Sequence, residues 1–350
     1  MFRFLQAAII IAYWLGLKPN KPAKMYKTLF PEDKQIGDKL EYVPGIGGKS
    51  VTLAPSAYDA PAYLLQIDPI TSKESKLALF RTKKRVTERQ KQDYQNAVAR
   101  NLPSQIASLE KKISDEMADL VEGGEVVADV MAGQLLSTGT VTIAANGANL
   151  SGTYGILAAQ QETLLSTAKW SDLTNSTPIA DIERWRDTVA ELPESSGEKP
   201  SRAICRTKTF NYIKNNVGIR AEMAASASFK DITTQMVIDF IKAKTDVEIF
   251  VYDAAYKDHT GTTTQYVFPN EIFTLLPAGQ VGRMVFGTTP EENEMGKPRK
   301  DIALGGDVQG IAVKVKEIDD EVEETEVKAS VMVLPSGEGL GKIFIATVHS

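Results

Sequence analysis

A chain of 350 residues that is 43% apolar and carries 25 glycines can bury a sizeable core, as one large domain or two to three of roughly 150 residues. Its 45 acidic and 40 basic residues leave a net charge of -5, which argues against a protein whose main work is gripping nucleic-acid phosphates. One cysteine, Cys205, and two histidines, His259 and His349, exclude an intrachain disulfide and a Cys- or His-rich zinc site, and leave a nucleophile only those two histidines as base.

The longest apolar run, Phe4 to Leu17, comes first. Its 14 residues make a helix of about 21 Å, short of the ~30 Å core of a bilayer. Arg3 precedes it as in a secretory signal, but Gln6 interrupts it and Lys18-Pro19-Asn20-Lys21-Pro22 follows without a small-x-small cleavage site. The expectation is no membrane span but a short helix that buries its apolar surface against the chain or a neighbour. Turn formers then crowd residues 19–55, with strand-like pieces at Lys39 to Val43 and Lys49 to Leu53. They read as a β-hairpin on an arm, its Gly-rich tip at residues 44–48.

Ser72 to Arg100 gathers Arg81, Lys83, Lys84, Arg85, Arg89 and Lys91 with only Phe80 and Tyr94 as aromatic residues. That composition reads as a solvated helical face or an intersubunit salt-bridge patch rather than a nucleic-acid site. Pro103 opens a long amphipathic helix marked by Ile106, Leu109, Ile113, Met117, Leu120, Val127, Val130, Met131 and Leu135. Its roughly 33 residues span about 50 Å, the width of a compact chain of this size, so it reads as a spine. Gly123-Gly124 predicts a kink or short break.

Beyond it, Ser137 to Ile143 is strand-like, and a polar, glycine-rich connector runs to Thr174. Helices are predicted from Thr177-Pro178 to Leu192, at Phe210 to Val217 and over Ile232 to Ala243. Strands are predicted at Ser201 to Arg206, Val247 to Tyr252, Thr264 to Phe268, Ile272 to Leu276 and Val281 to Phe286, then at Gly310 to Ile318, Glu326 to Leu334 and Lys342 to Val348. Helices and strands mix without regular βαβ alternation, which makes the class α+β.

The candidate chemical motifs are weak. Pro44-Gly45-Ile46-Gly47-Gly48-Lys49-Ser50 resembles the end of a phosphate loop, but Val43 replaces a glycine and a strand follows instead of a helix. Gly337-Glu338-Gly339-Leu340-Gly341 lacks the dinucleotide spacing and reads as a turn. The seven carboxylates Glu317, Asp319, Asp320, Glu321, Glu323, Glu324 and Glu326 have no EF-hand spacing and read as a solvated, mutually repelling hairpin, with docking to basic patches as the second choice. Asp258-His259 sits in a hairpin loop with no nucleophile elbow anywhere. His349 is expected to be exposed, and Cys205 to be an inert core thiol.

Several stretches carry a family likeness in order. They are Ala12-Tyr13-Trp14, Leu29-Phe30-Pro31 and Lys34-Gln35-Ile36-Gly37, then Leu53 to Asp59. Phe268-Pro269-Asn270 through Leu275-Leu276-Pro277, Gly287-Thr288-Thr289-Pro290-Glu291-Glu292, and Leu334-Pro335-Ser336 with Ile343 to Val348 complete the set. Together they resemble the phage lambda-like major capsid proteins, the major capsid protein E family of Hong-Kong-97-type fold, over nearly the whole chain.

The resemblance implies an N-terminal arm at 1–35, an extended loop at 36–72, a peripheral domain at 73–150 and 303–350 with the spine helix at about 103–136, and an axial domain at 151–302. It implies a head protein that is not an enzyme and needs no cofactor, assembling with itself into hexamers and pentamers of an icosahedral shell around double-stranded DNA, in the virion and, during assembly, in the host cytoplasm. A separate scaffolding protein is expected, since no long N-terminal scaffolding segment is present, with a portal and a decoration protein as further partners. Candidate intersubunit contacts are Trp14, Ile46, Lys49, Arg81, Lys83, Lys84, Arg85, Arg89, Glu321, Glu323 and Glu324. Some relatives cross-link a lysine to a neighbour's asparagine, and Lys49 is the position to ask about, although nothing in the sequence supports that bond. An acidic chain suits a container that should not hold its DNA tightly. The rival readings are a cellular nanocompartment shell of the same fold and a hydrolase built on Asp258 and His259.

Overall fold

The computed structural model of the chain describes residues 3–42, 73–145, 148–195, 197–226, 232–258, 261–294, 301–319 and 323–349. They belong to two units, one of residues 1–40, 74–131 and 283–336, the other of residues 41–73, 132–282 and 337–350. Each unit therefore joins segments that are distant in sequence.

The first unit is built on a six-stranded sheet in the order Glu32–Lys34, Met284–Phe286, Glu323–Pro335, Ile311–Asp319 and Ile302–Gly305, with Ala78–Val86 also paired to Glu323–Pro335. Ile311–Asp319 and Glu323–Pro335 run antiparallel, Val315 opposite Val327 and Ile311 opposite Val331. Antiparallel pairing puts opposed residues on one face, and Ile311, Val313, Val315, Val327 and Val331 are all buried.

The spine helix runs without a break over Pro103–Thr138, 36 residues or about 54 Å. The expected interruption at Gly123-Gly124 is absent, and the structure supplies another reason for Gly124. A Cβ there would stand 2.9 Å from Ile311 Cδ1, so the missing side chain lets helix and sheet approach closely. Gly123 has open space around its Cβ position.

The basic stretch corrects a second expectation. Residues 78–86 form a strand rather than a helical face, and the helix begins only at Glu88–Ala99, capped by a reciprocal Thr87–Gln90 box. Period-two alternation is weak because the face that carries buried Val86 also carries exposed Thr82 and half-buried Lys84, whose ammonium donates to the Glu116 carbonyl (3.0 Å). The N-terminal helix Ala7–Leu17 buries Ala7, Ile10, Ile11 and Trp14, and Met25–Leu29 adds Tyr26 and, just beyond, Phe30. Gly305 accommodates Ile11.

The second unit holds a five-stranded sheet ordered Gln161–Thr163, Phe344–Thr347, Ile272–Leu276, Arg202–Cys205 and Glu248–Val251. Its core centres on Trp170, Trp185, Phe273 and Phe344, with Trp170 and Phe273 ring centres 5.0 Å apart and edge-on. Helices Pro178–Glu191, Thr207–Asn215, Val217–Ser226 and Thr234–Thr245 complete it. Pro178 occupies the first turn of its helix, and buried Asp181 accepts from Trp170 Nε1 (3.0 Å). The polar connector holds two unpredicted strands, Gln161–Thr163 and Ala148–Thr153, the latter paired with Thr140–Ala145. Cys205 is fully buried, and burial pushes its thiol up and out of the reactive range.

His349, expected to be exposed, is buried at 2% exposure. Its Nε2 donates to the Asn270 carbonyl (2.7 Å), a group that can only accept, and lies 3.1 Å from Thr209 Oγ1. The ring stands edge-on to Tyr212 at 4.8 Å. The chain end is tied in because the Val348 amide donates to Glu271 O (2.8 Å) and Trp170 N–H donates to Val348 O (2.8 Å).

Gly123→Ala should stabilise the unassembled chain by about 0.5–1 kcal/mol, as open helix glycines do. Gly133→Ala should destabilise it by about 2 kcal/mol, because the new Cβ would run into the Val267 carbonyl; denaturant midpoints check both. Burial holds His349 below its ordinary value of 6.5, so the folded chain binds fewer protons than the unfolded one. Its contribution to stability is complete above about pH 6.5 and is lost as pH falls below it. The drop in melting temperature between pH 7 and 5 should therefore shrink in His349→Gln.

Candidate functional site

The sequence offered charge, so the charges locate the candidate surface. Ala78–Val86 lies on the Glu323–Pro335 strand with Lys83 opposite Lys328 and Arg85 opposite Glu326. Lys328 in turn faces Lys314 on the next strand, so three lysines form one row on one face of the sheet. Like charges directly opposed destabilise a sheet, and each lysine has its own carboxylate. Lys83 pairs with Glu326 (2.9 Å), Lys328 with Glu291 (2.6 Å) and Lys314 with Glu294. Arg85 reaches Glu324 (3.0 Å) and Glu326 (3.3 Å), and Arg81 reaches Glu291 (3.4 Å). The hydrogen bond from Lys83 leads the causes that hold the Glu326 carboxyl below the usual range.

Glu324 and Glu326 are thus counterions of this chain's own basic strand, which corrects their reading as a mutually repelling hairpin. Of the candidate contacts, Lys83, Lys84, Arg85, Arg81 and Glu324 all have partners in the same chain. Arg89 is exposed on the Glu88–Ala99 helix. Glu323 begins its strand opposite Asp319, while Ile46, Lys49 and Glu321 lie outside the described residues. So do the Pro44 to Ser50 loop, the hairpin tip and His259.

Trp14 is fully buried within the first unit and donates from Nε1 to Glu122 Oε2 (2.9 Å). Its surface is already covered, so it offers nothing to a neighbour. It belongs to a zipper that the sequence reading missed. Asp115, Asp119, Glu122, Glu125 and Asp129, three or four residues apart, form one acidic face of the spine helix. The arm answers with Tyr13 on Asp115 (2.6 Å), Lys21 on Asp119 (3.6 Å) and Lys24 on Glu122 (3.0 Å). Lys18 (2.8 Å) and Lys27 (2.9 Å) meet Glu125, and the Tyr26 amide donates to Asp129 (3.1 Å). The signal was present in both halves: Lys18, Lys21, Lys24 and Lys27 recur every three residues.

Burial pushes the Glu122 carboxyl up, but the Trp14 and Lys24 hydrogen bonds outweigh it and hold the group below its ordinary value. Burial and the charges of Glu125 and Glu32 push the Tyr26 hydroxyl far up. Glu32, Glu125 and Asp307 come close enough to share a cation. Lys27 occupies that place, 2.8 Å from Asp307 and 2.9 Å from Glu125, so an ammonium supplies the charge. The Gly337 to Gly341 stretch leads through a short 3₁₀ turn at Leu340–Lys342 into the last strand, and no dinucleotide helix follows it. No helix among the described residues is long and apolar enough to cross a membrane.

Comparisons with known proteins agree with an architectural surface. No curated protein matches the chain. Among solved structures, it is similar to a prophage protein of E. coli CFT073 assigned as its capsid protein, at 14% identity and TM-score 0.59, covering 98% of this chain and 99% of that one. A phage-related protein of Bordetella bronchiseptica RB50 is similar at 14% identity and TM-score 0.53, covering 97% and 96%. The α+β fold is of the Hong-Kong-97 capsid type. The family model described as phage major capsid protein E matches residues 8–337, and the chain belongs to that family of capsid shell proteins.

Proposed function

We propose that this chain is the major head protein of a tailed double-stranded DNA phage, assembling into the hexamers and pentamers of an icosahedral shell around the genome. The observation that carries the reading is the family match over residues 8–337, which spans both units. The role is structural: the shell is assembled in the host cytoplasm and ends in the virion, with a scaffolding protein, a portal and a decoration protein as partners.

Within it, residues 1–35 are the arm, 36–72 the extended loop, 73–150 and 303–336 the peripheral domain with the spine helix at about 103–136, and 151–302 the axial domain, to which residues 337–350 of the second unit are moved from the peripheral domain. Inclusion of the chain end in the axial domain is supported by Phe344–Thr347, which lies between Gln161–Thr163 and Ile272–Leu276 in that unit's sheet.

Mass spectrometry of purified virions from the source tests the reading, with this chain expected among the most abundant components; its absence there overturns it. Electron microscopy should show DNA-filled shells with one portal vertex, whereas shells enclosing protein cargo would mean a nanocompartment. Among the candidate contacts, Ile46, Lys49, Glu321 and Arg89 stay proposed, and Arg89 is the one of these four among the described residues. Arg89→Glu should leave the melting temperature of the unassembled chain within about 1 °C, since exposed substitutions rarely matter to folding, and lower the particle yield. Lys83→Ala breaks an exposed intrachain pair and should cost about 1 kcal/mol or less of stability. An unchanged yield in Arg89→Glu would remove that residue from the interface.

A further inference from the structure

The Gly287-Thr288-Thr289-Pro290-Glu291-Glu292 stretch carried part of the family resemblance and has no role in the function described so far. It lies in the first unit beside the two legs that precede and follow residues 43–72 in the sequence. The outgoing leg is residues 32–38 and the returning leg residues 77–86. Glu32–Lys34 pairs in parallel with Met284–Phe286, and the Gln35 amide donates to the Phe286 carbonyl (2.8 Å). The Thr288 amide donates to the Gly37 carbonyl (3.1 Å), and the Gly37 amide donates to Thr288 Oγ1 (3.3 Å). The Leu77 amide joins the legs by donating to the Asp38 carbonyl (2.8 Å). Gly287 fits between them: a Cβ there would stand 2.7 Å from the Gly37 carbonyl oxygen and would run into Leu77 Cδ1.

The two glutamates complete the arrangement. Thr289 caps the short helix Pro290–Asn293, its Oγ1 accepting from the Glu292 amide (3.3 Å). Successive helical residues diverge by about 100°, so Glu291 and Glu292 leave the helix in different directions. Glu292 takes Lys34 of the outgoing leg at 2.7 Å, and the same ammonium donates to the Gly287 carbonyl (3.1 Å). Glu291, 2% exposed, takes Lys328 at 2.6 Å and Arg81 of the returning leg at 3.4 Å. A carboxylate that deep is tolerated only beside cations; Lys328 is the nearer one, and Arg81 brings the returning leg to the same carboxylate oxygen.

We infer that Gly287 to Glu292 is a clamp that holds residues 32–38 and 77–86 side by side in the first unit, with Glu292 holding the outgoing leg through Lys34 and Glu291 the returning leg through Arg81. Only its bearing on shell assembly rests on the capsid reading.

Amide hydrogen exchange on the full, unassembled chain tests the clamp, with spine-helix amides as internal reference. Glu292→Gln should speed exchange at Gln35 and Gly37 about tenfold and leave the spine unchanged. Glu291→Gln should do the same at Leu77. Glu292 is the more accessible of the two, so its variant keeps the test open should Glu291→Gln fail to fold. Wild-type exchange at the legs in both Glu292→Gln and Gly287→Ala refutes the clamp, and so does equal loosening of legs and spine. Particles of Glu292→Gln should spread in diameter. If the wild-type chain forms no particles, the capsid reading fails while leg exchange still decides the clamp.

Discussion

The first unit depends on the acidic face of its spine helix. Glu122, Glu125 and Asp129 are 9%, 3% and 1% exposed, and carboxylates at that depth cannot remain ionised without cations or strong donors. The arm brings them: lysines to Glu122 and Glu125, a backbone amide to Asp129. The dependence runs both ways, because Trp14, Tyr26 and Phe30 are dry only while the arm lies in place, and each such ring contributes about 1.5–3 kcal/mol of hydrophobic burial. The segment that sequence alone presents as an appendage is therefore part of the unit's core, and its apolar run serves this chain.

The same compensation governs the sheet. A row of three opposed lysines would repel, and a net charge of -5 says nothing about how that is avoided. The solution is local, one carboxylate for each lysine, with Glu291 reaching from a four-residue helix to pair with Lys328 and lie 3.4 Å from Arg81. Charges paired in this way are held within one copy, whereas Arg89 is exposed on its helix.

Much of the fold was legible in the sequence. Apolar periodicity after Pro103 located the spine helix, Thr177-Pro178 located the start of another, and apolar runs located three of the six strands of the first unit's sheet and four of the five in the second's, because those signals depend only on local geometry. Glu32–Lys34 and Ile302–Gly305 were missed. The strand at Ala78–Val86 escaped because the face that carries buried Val86 also carries exposed Thr82 and half-buried Lys84, whose partner is a carbonyl of the spine helix. Gln161–Thr163 escaped because it is three residues long and exists only through the parallel partner Phe344–Thr347.

The candidate surface divides along the same line. By itself the sequence determined the element types, the scarcity of catalytic groups and the ordered stretches that carry the family likeness, since each is a property of residue identity and short-range spacing. Tertiary structure alone decided which charges meet. It placed Trp14 and the lysines of the arm against carboxylates about a hundred positions away, buried His349 against Asn270, and made Gly124 of the spine a close approach to Ile311 instead of a break. Pairing is a matter of distance in space, and composition carries no distances.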